Sequence, residues 1–204
     1  MNTALHGICD EFTQPEHILH NLPPAVTIFG SARIQPEHPE YQRTERLARR
    51  LSDAGFTVIS GGGPGIMEAA NKGAFAGKTP TVGMNIVLPN EQQANPYQDI
   101  SLTFQHFPSR KAMLVQYAFA FVVMEGGFGT LDELFETLTL IQTGKIAKCP
   151  IILVGSTFWQ GLLDWLREHL AAHNLIDDND LDLLHILDND DEIVETIIRF
   201  QPAF

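Results

Sequence analysis

"FAFVVMEGGFGTLDELFETLTLIQT", residues 119–143, passes from a fully apolar run through a glycine turn into a helical pattern. A run as apolar as 119–124 suits a strand covered by helices on both faces. Beyond the turn, Leu131, Leu134, Phe135, Leu138 and Ile141 recur at helical spacing and mark a buried stripe over 130–143. Strand, glycine turn and helix in succession form the repeating unit of parallel α/β layering.

The same alternation runs through the chain. Strands are predicted at 25–30, 56–60, 80–86, 100–104, 119–124 and 149–154, and helices at 39–54, 65–77, 109–118, 130–143 and 158–173. The expected fold is a doubly wound parallel sheet with helices on both faces, in one domain over 25–204 behind a polar, proline-punctuated lead-in over 1–24. Ligands of such sheets gather at the carboxyl ends of the strands. In the tail, "DDNDLDLLHILDNDDE" (177–192) precedes the short helical pattern "EIVETIIRF" (192–200). The acids lack the glycine and terminal glutamate that an EF-hand loop requires, so a solvated surface turn is expected and no metal.

Composition narrows the function. A formal net charge of -12 at pH 7, with 13 Lys and Arg that form no cluster, argues against nucleic acid as a partner and favours a small ligand. The longest apolar run, 118–124, is too short to span a bilayer, and the first two dozen residues lack the pattern of a signal peptide, so no membrane association and a cytoplasmic location are expected. Cys9 and Cys149 lie far apart and outside any CxxC spacing, which argues against a disulfide framework and a zinc site.

Two glycine turns follow strands: "SGGGPGIMEAAN" (60–71) and "EGGFGTLDE" (125–133). Glycines let an anion approach the backbone amides, and the following helix N-terminus supplies unpaired N–H groups and partial positive charge. Neither turn is a Walker P-loop, since no Lys followed by Ser or Thr comes after Gly65 (Ile66, Met67) or Gly129 (Thr130, Leu131), and neither completes GxGxxG, since Asp132 and Glu68 stand where glycine is needed. Thr130 and Glu133 have the T-x-x-E spacing of a capping box, so each is readable as a helix cap or as part of a site. Arg110 and Lys111 follow "FPS" in the first turn of a helix, where a cation is disfavoured by roughly 0.3–1 kcal/mol; an anionic substrate or neighbouring carboxylates would compensate.

Together, "SGGGPGIMEAAN", "PSRKAMLVQYAFAFVVMEGGFGTLDELFETLTLIQTGKI" (108–146) and "PIILVGSTFW" (150–159) resemble the LOG family, once widely labelled lysine decarboxylases. The likeness covers roughly 25–200 and looks more like the longer, higher-oligomer branch than the short dimeric plant enzymes. It implies a Rossmann-like fold and hydrolysis of cytokinin riboside 5'-monophosphates, and often AMP, to free base and ribose 5-phosphate, without cofactor or metal. Arg110 of the RK motif and Glu133 of GGxGTxxE match the family's catalytic residues. Gly126, Gly127, Gly129 and Thr130, with Phe128 among them, match its phosphate loop, and Ser31 and Gly63 match positions lining the nucleotide.

Lys111 beside Arg110 and Glu68 on the other turn's helix are further substrate-binding candidates, Glu68 being equally readable as a dipole-stabilising acid. Met84, Asn85 and the loop 88–97 are candidates for the base pocket. The resemblance also implies a homo-oligomer, a dimer or a hexamer of dimers, with the helices at 109–118 and 130–143 at the interface. One departure is visible: Glu125 stands where the family usually has proline, and its charge would oppose a phosphate. A pyridoxal decarboxylase would need a Schiff-base lysine, and only Lys111 lies in a motif. The non-enzymatic alternative is a molybdenum-cofactor carrier, since such proteins share the fold and loops.

Overall fold

The computed structural model describes residues 3–89 and 93–201. The chain runs α1 (Thr3–Leu19), β1 (Ala25–Phe29), α2 (Pro39–Asp53), β2 (Thr57–Ser60), α3 (Ile66–Phe75), β3 (Thr81–Ile86), β4 (Ile100–Phe104), α4 (Phe107–Gln116), β5 (Ala118–Val123), α5 (Phe128–Gln142), β6 (Ile151–Val154), α6 (Ser156–His169), β7 (Leu184–Leu187) and α7 (Asp190–Phe200). The seven strands form one sheet in the order β4-β3-β2-β1-β5-β6-β7, and every pairing is parallel. From β1 the chain winds outward through β2, β3 and β4, then returns to place β5 on β1's other side. The boundary between β1 and β5 is therefore the switch point, where a doubly wound sheet opens a crevice.

Alternation along the strands sorts side chains onto two faces. Phe29, Phe121 and Val123 pack with Met113, Leu114, Leu134, Ile141, Trp159 and Leu163 from α4, α5 and α6. Val26, Ile28, Ala120 and Val122 pack with Leu47, Leu51, Ile66, Ala70, Ile193 and Ile197 from α2, α3 and α7. Both faces are thus covered, as the apolar runs demand.

Two segments differ from the sequence reading. The lead-in forms a long helix, α1, which carries Pro15 inside it and packs on α4. The acidic tail is more than a surface turn, because Leu184–Leu187 joins the sheet as an edge strand beside β6. Its flanking polar residues serve as helix caps. Asp188 accepts from the Ser156 amide (2.8 Å) at the start of α6, and Asn189 accepts from the Asp191 amide (2.8 Å) in the first turn of α7. Among the described residues no group of three or more His, Cys, Asp or Glu is placed to hold a metal ion, and no helix is long and apolar enough to cross a membrane.

Candidate active site

At the carboxyl ends of β1 and β5 lies a cavity of about 580 Å³, walled by Gly30–Arg33, Met67, Ile86, Leu88, Phe107, Arg110, Gly127–Leu131 and Glu133. That size falls within the range of small-molecule sites, roughly 300–1,000 Å³. One wall is the N-terminus of α5, which starts at Phe128 with Gly127 as its N-cap and no side-chain cap. The helix therefore begins two residues earlier than its periodicity indicates. Thr130 is its third residue and Glu133 its sixth, so the T-x-x-E spacing builds no capping box. Side-chain positions at Gly127 and Gly129 would meet open space, whereas a methyl group at Gly126 would overlap Thr130 Oγ1. The loop thus offers free amides to the cavity.

Arg110 is only 6% exposed. Its Nε donates to the Met84 carbonyl (2.7 Å) and Nη2 to the Gly61 carbonyl (3.2 Å), while Nη1 lies 3.4 Å from Glu133 Oε1. These partners resolve the tension of a cation in a helix's first turn. Glu133 sits one and a half turns into α5, with its side chain 16% exposed. Burial pushes its carboxyl up to about 7 against the opposing pull of Arg110. Burial likewise lowers the Arg110 pKa, and Glu133 partly restores it.

The other sequence candidates divide. Ser31, Gly127, Phe128, Gly129 and Thr130 join Arg110 and Glu133 on the cavity wall; Gly63, Glu68, Met84, Lys111 and Gly126 do not. Met84 is a fully buried core side chain whose contribution is its carbonyl. Gly63 gives its carbonyl to Asn95 Nδ2 (3.1 Å). Glu68 accepts from the Tyr41 hydroxyl (2.7 Å), and Lys111 pairs with Asp132 and Glu136 (both 3.0 Å). Asn85 is tied into a network with Gln98 and Ser101. Of the loop 88–97, Leu88 reaches the cavity, and residues 90–92 lie outside the described residues.

A family model described as "Possible lysine decarboxylase", the older label of the LOG proteins, matches residues 67–197. The chain belongs to this family. A Mycobacterium marinum protein named cytokinin riboside 5'-monophosphate phosphoribohydrolase is 29% identical over 173 residues, covering 83% of this chain and 91% of that protein. A Rhodococcoides fascians protein of the same name is 28% identical, covering 76% of this chain and 79% of its own length. Among solved structures, the molybdenum cofactor binding protein of Rippkaea orientalis aligns with a TM-score of 0.64 at 21% identity over 86% of this chain and 96% of its own. The molybdenum cofactor carrier protein of Chlamydomonas reinhardtii aligns at 0.65 and 18%, over 87% and 97%. At such identities these two establish the shared fold.

Within the LOG family frame, the departure at Glu125 now has a structural context. Its carbonyl accepts from the Ser31 amide (3.0 Å), which locks the loop onto the end of β1. Its carboxylate is absent from the cavity wall; Oε1 approaches Gly155 at the start of α6, and its charge helps raise the Glu40 carboxyl, where burial is the larger cause. The charge is thus turned toward α2 and α6, away from the loop's open glycines.

Sequence reasoning overlooked Arg33, Met67, Ile86 and Phe107 on the cavity wall. Two of these carried a signal: Arg33 follows a strand's carboxyl end in a doubly wound pattern, and Phe107 stands three residues before Arg110 on the same helical face. Among the described residues Arg33 forms no ion pair. Gly61 was overlooked as well. A methyl group there would overlap Arg110 Nη2 and Met67 Sδ, so glycine permits the close approach of the guanidinium.

Proposed function

We propose that the chain hydrolyses the N-glycosidic bond of nucleoside 5'-monophosphates, cytokinin riboside 5'-monophosphate or AMP, to free base and ribose 5-phosphate. The observation that carries this reading is the buried Arg110–Glu133 pair sharing one cavity with the open N-terminus of α5. The phosphate would sit on the Gly127–Thr130 amides, where the helix dipole favours an anion, with Arg33 across the mouth. The apolar side chains of Met67, Ile86, Leu88 and Phe107 suit a flat aromatic base.

As the C1'–N bond breaks, positive charge develops on the ribose and negative charge on the departing base. Water supplies the oxygen of the new C1'–O bond. Glu133 orients that water, takes its proton and steadies the oxocarbenium-like ribose; that proton then passes to the nitrogen of the departing base, which returns Glu133 to its ionised form. Arg110 holds Glu133 and the ribose in place and favours the charge of the leaving base. Anchoring the phosphate at a fixed distance from Glu133 makes attack effectively intramolecular.

The direct test incubates the purified protein with AMP, other nucleoside monophosphates and isopentenyladenine riboside monophosphate, following base and ribose 5-phosphate by chromatography. Base release is expected. No release from any of them, together with tight pterin binding, would overturn the reading in favour of a carrier.

A pH dependence follows. If Glu133 must be ionised, kcat/KM falls about tenfold per pH unit below its pKa, and that limb is expected near 7. A limb near the ordinary carboxylate value of 4.5 would contradict the assignment. Gly61→Ala is expected to displace the guanidinium and lower turnover roughly 10- to 100-fold. Gly61 does not have positive φ, so the backbone is unstrained by the change and any fall in melting temperature comes from the displaced guanidinium and Met67. Unchanged kinetics in a folded variant would show that the anchoring at Gly61 is dispensable.

A further inference from the structure

Helix α4 begins with a proline in its first turn, Pro108, but without a side-chain cap. Its N-cap, His106, makes no side-chain capping bond, and no acidic residue lies in its first turn, where Arg110 instead places a positive charge. The missing acid comes from α1. Glu11 Oε1 accepts from the Gln105 amide (2.6 Å), Oε2 lies 3.2 Å from His106 Nδ1, and the Ser109 hydroxyl donates to the same Oε2. The Glu11 side chain is 12% exposed, and Ser109 is fully buried. The helix tethered in this way carries two residues of the cavity wall, Phe107 and Arg110.

We propose that Glu11 is a positioning residue for Arg110: a carboxylate from the N-terminal helix completes the first turn of α4 and thereby sets the guanidinium against Glu133. This rests on the role given to Arg110 above. The lead-in would then belong functionally to the site. Burial would raise the Glu11 carboxyl, but hydrogen bonds from Ser109, the Gln105 amide and His106 outweigh it and hold it below its ordinary range. The carboxylate therefore stays charged throughout the pH range of turnover.

The test compares Glu11→Ala and Glu11→Gln with the parent by amide hydrogen exchange and by the pH profile of turnover. In Glu11→Ala, exchange of the Arg110 amide, which bonds to the His106 carbonyl, and of the amides in the following turn should rise about tenfold while β5 and α5 keep their protection. Turnover should fall about tenfold with KM changed less. The acid limb should move upward, because a loosened Arg110 no longer lowers the Glu133 pKa; the other charges around Glu133 come from Lys111, Asp132 and Glu136 and stay in place. Glu11→Gln, nearly isosteric, should fall between the two and carries the test if the alanine variant fails to fold. Exchange and turnover within about twofold of the parent would overturn the proposal. So would faster exchange with unchanged turnover and an unmoved acid limb, which reduces Glu11 to a structural cap. Exchange and the titration of Glu133, followed by its carboxyl NMR signal, need no substrate: a parent that releases no base refutes the hydrolase reading, and faster exchange at Arg110 together with an upward shift of Glu133 then decides this one.

Discussion

Glu133→Gln is expected to lower kcat by about 10²–10⁴-fold, the usual contribution of a positioned proton acceptor, while changing the melting temperature little at pH 8. The stability half of this expectation comes from linkage. Burial raises the folded-state pKa of Glu133 above its ordinary value, so the folded protein binds that proton more tightly than the unfolded chain. The resulting stabilisation is present at low pH and is lost as pH rises through about 7. A neutral amide removes this dependence; at pH 8 the relief of a buried carboxylate offsets the counter-ion lost to Arg110, which keeps its two carbonyl acceptors. Because Glu133 caps no helix end, the loss of about 1 kcal/mol expected of a cap substitution should not occur. Steady-state kinetics and thermal melts at pH 8 check both halves together. A folded variant with near-normal turnover would remove Glu133 from the mechanism.

Arg110→Ala is the second large effect, and it should damage both activity and stability. Removing the guanidinium leaves the Met84 and Gly61 carbonyls without their donor and Glu133 without a counter-ion. Losing one partner of a buried ion pair costs about 3–5 kcal/mol when the other stays charged. Glu133 can escape that cost by taking a proton, so the destabilisation should be smaller at pH 5 than at pH 8. Urea melts at the two pH values measure the difference; equal losses would mean that the pair is not electrostatically coupled. Turnover should fall at least about 10²-fold, since the charge of the leaving base loses its stabiliser. Lysine should rescue poorly, because a point charge cannot reproduce the separate bonds made by Nε, Nη1 and Nη2.

The sheet's interior was legible because strands buried on both faces must be apolar throughout, and all six predicted strands occur with small shifts at their ends. The edge strand β7 was not. One strand neighbour and a half-exposed surface require little hydrophobicity, and Asp188 and Asn189 after "LHIL" cap α6 and α7, which no local pattern announces. α1 was hidden by polar residues and Pro15. Arg110 and Glu133 were found through the resemblance, but their shared cavity is a tertiary fact. Met84 shows the boundary of motif reasoning: its side chain belongs to the core, and its main-chain oxygen is what holds the arginine.

The placement of Glu133 six residues into α5 makes the distance from loop to carboxylate an angular setting. Each α-helical residue advances the azimuth by about 100° and the axis by about 1.5 Å. One residue inserted between Gly129 and Glu133 would swing the carboxylate away from Arg110 even if every side chain were kept. An insertion of roughly four residues would restore the azimuth but move the acid about one turn farther from the loop. The length of this segment cannot drift without dismantling the pair.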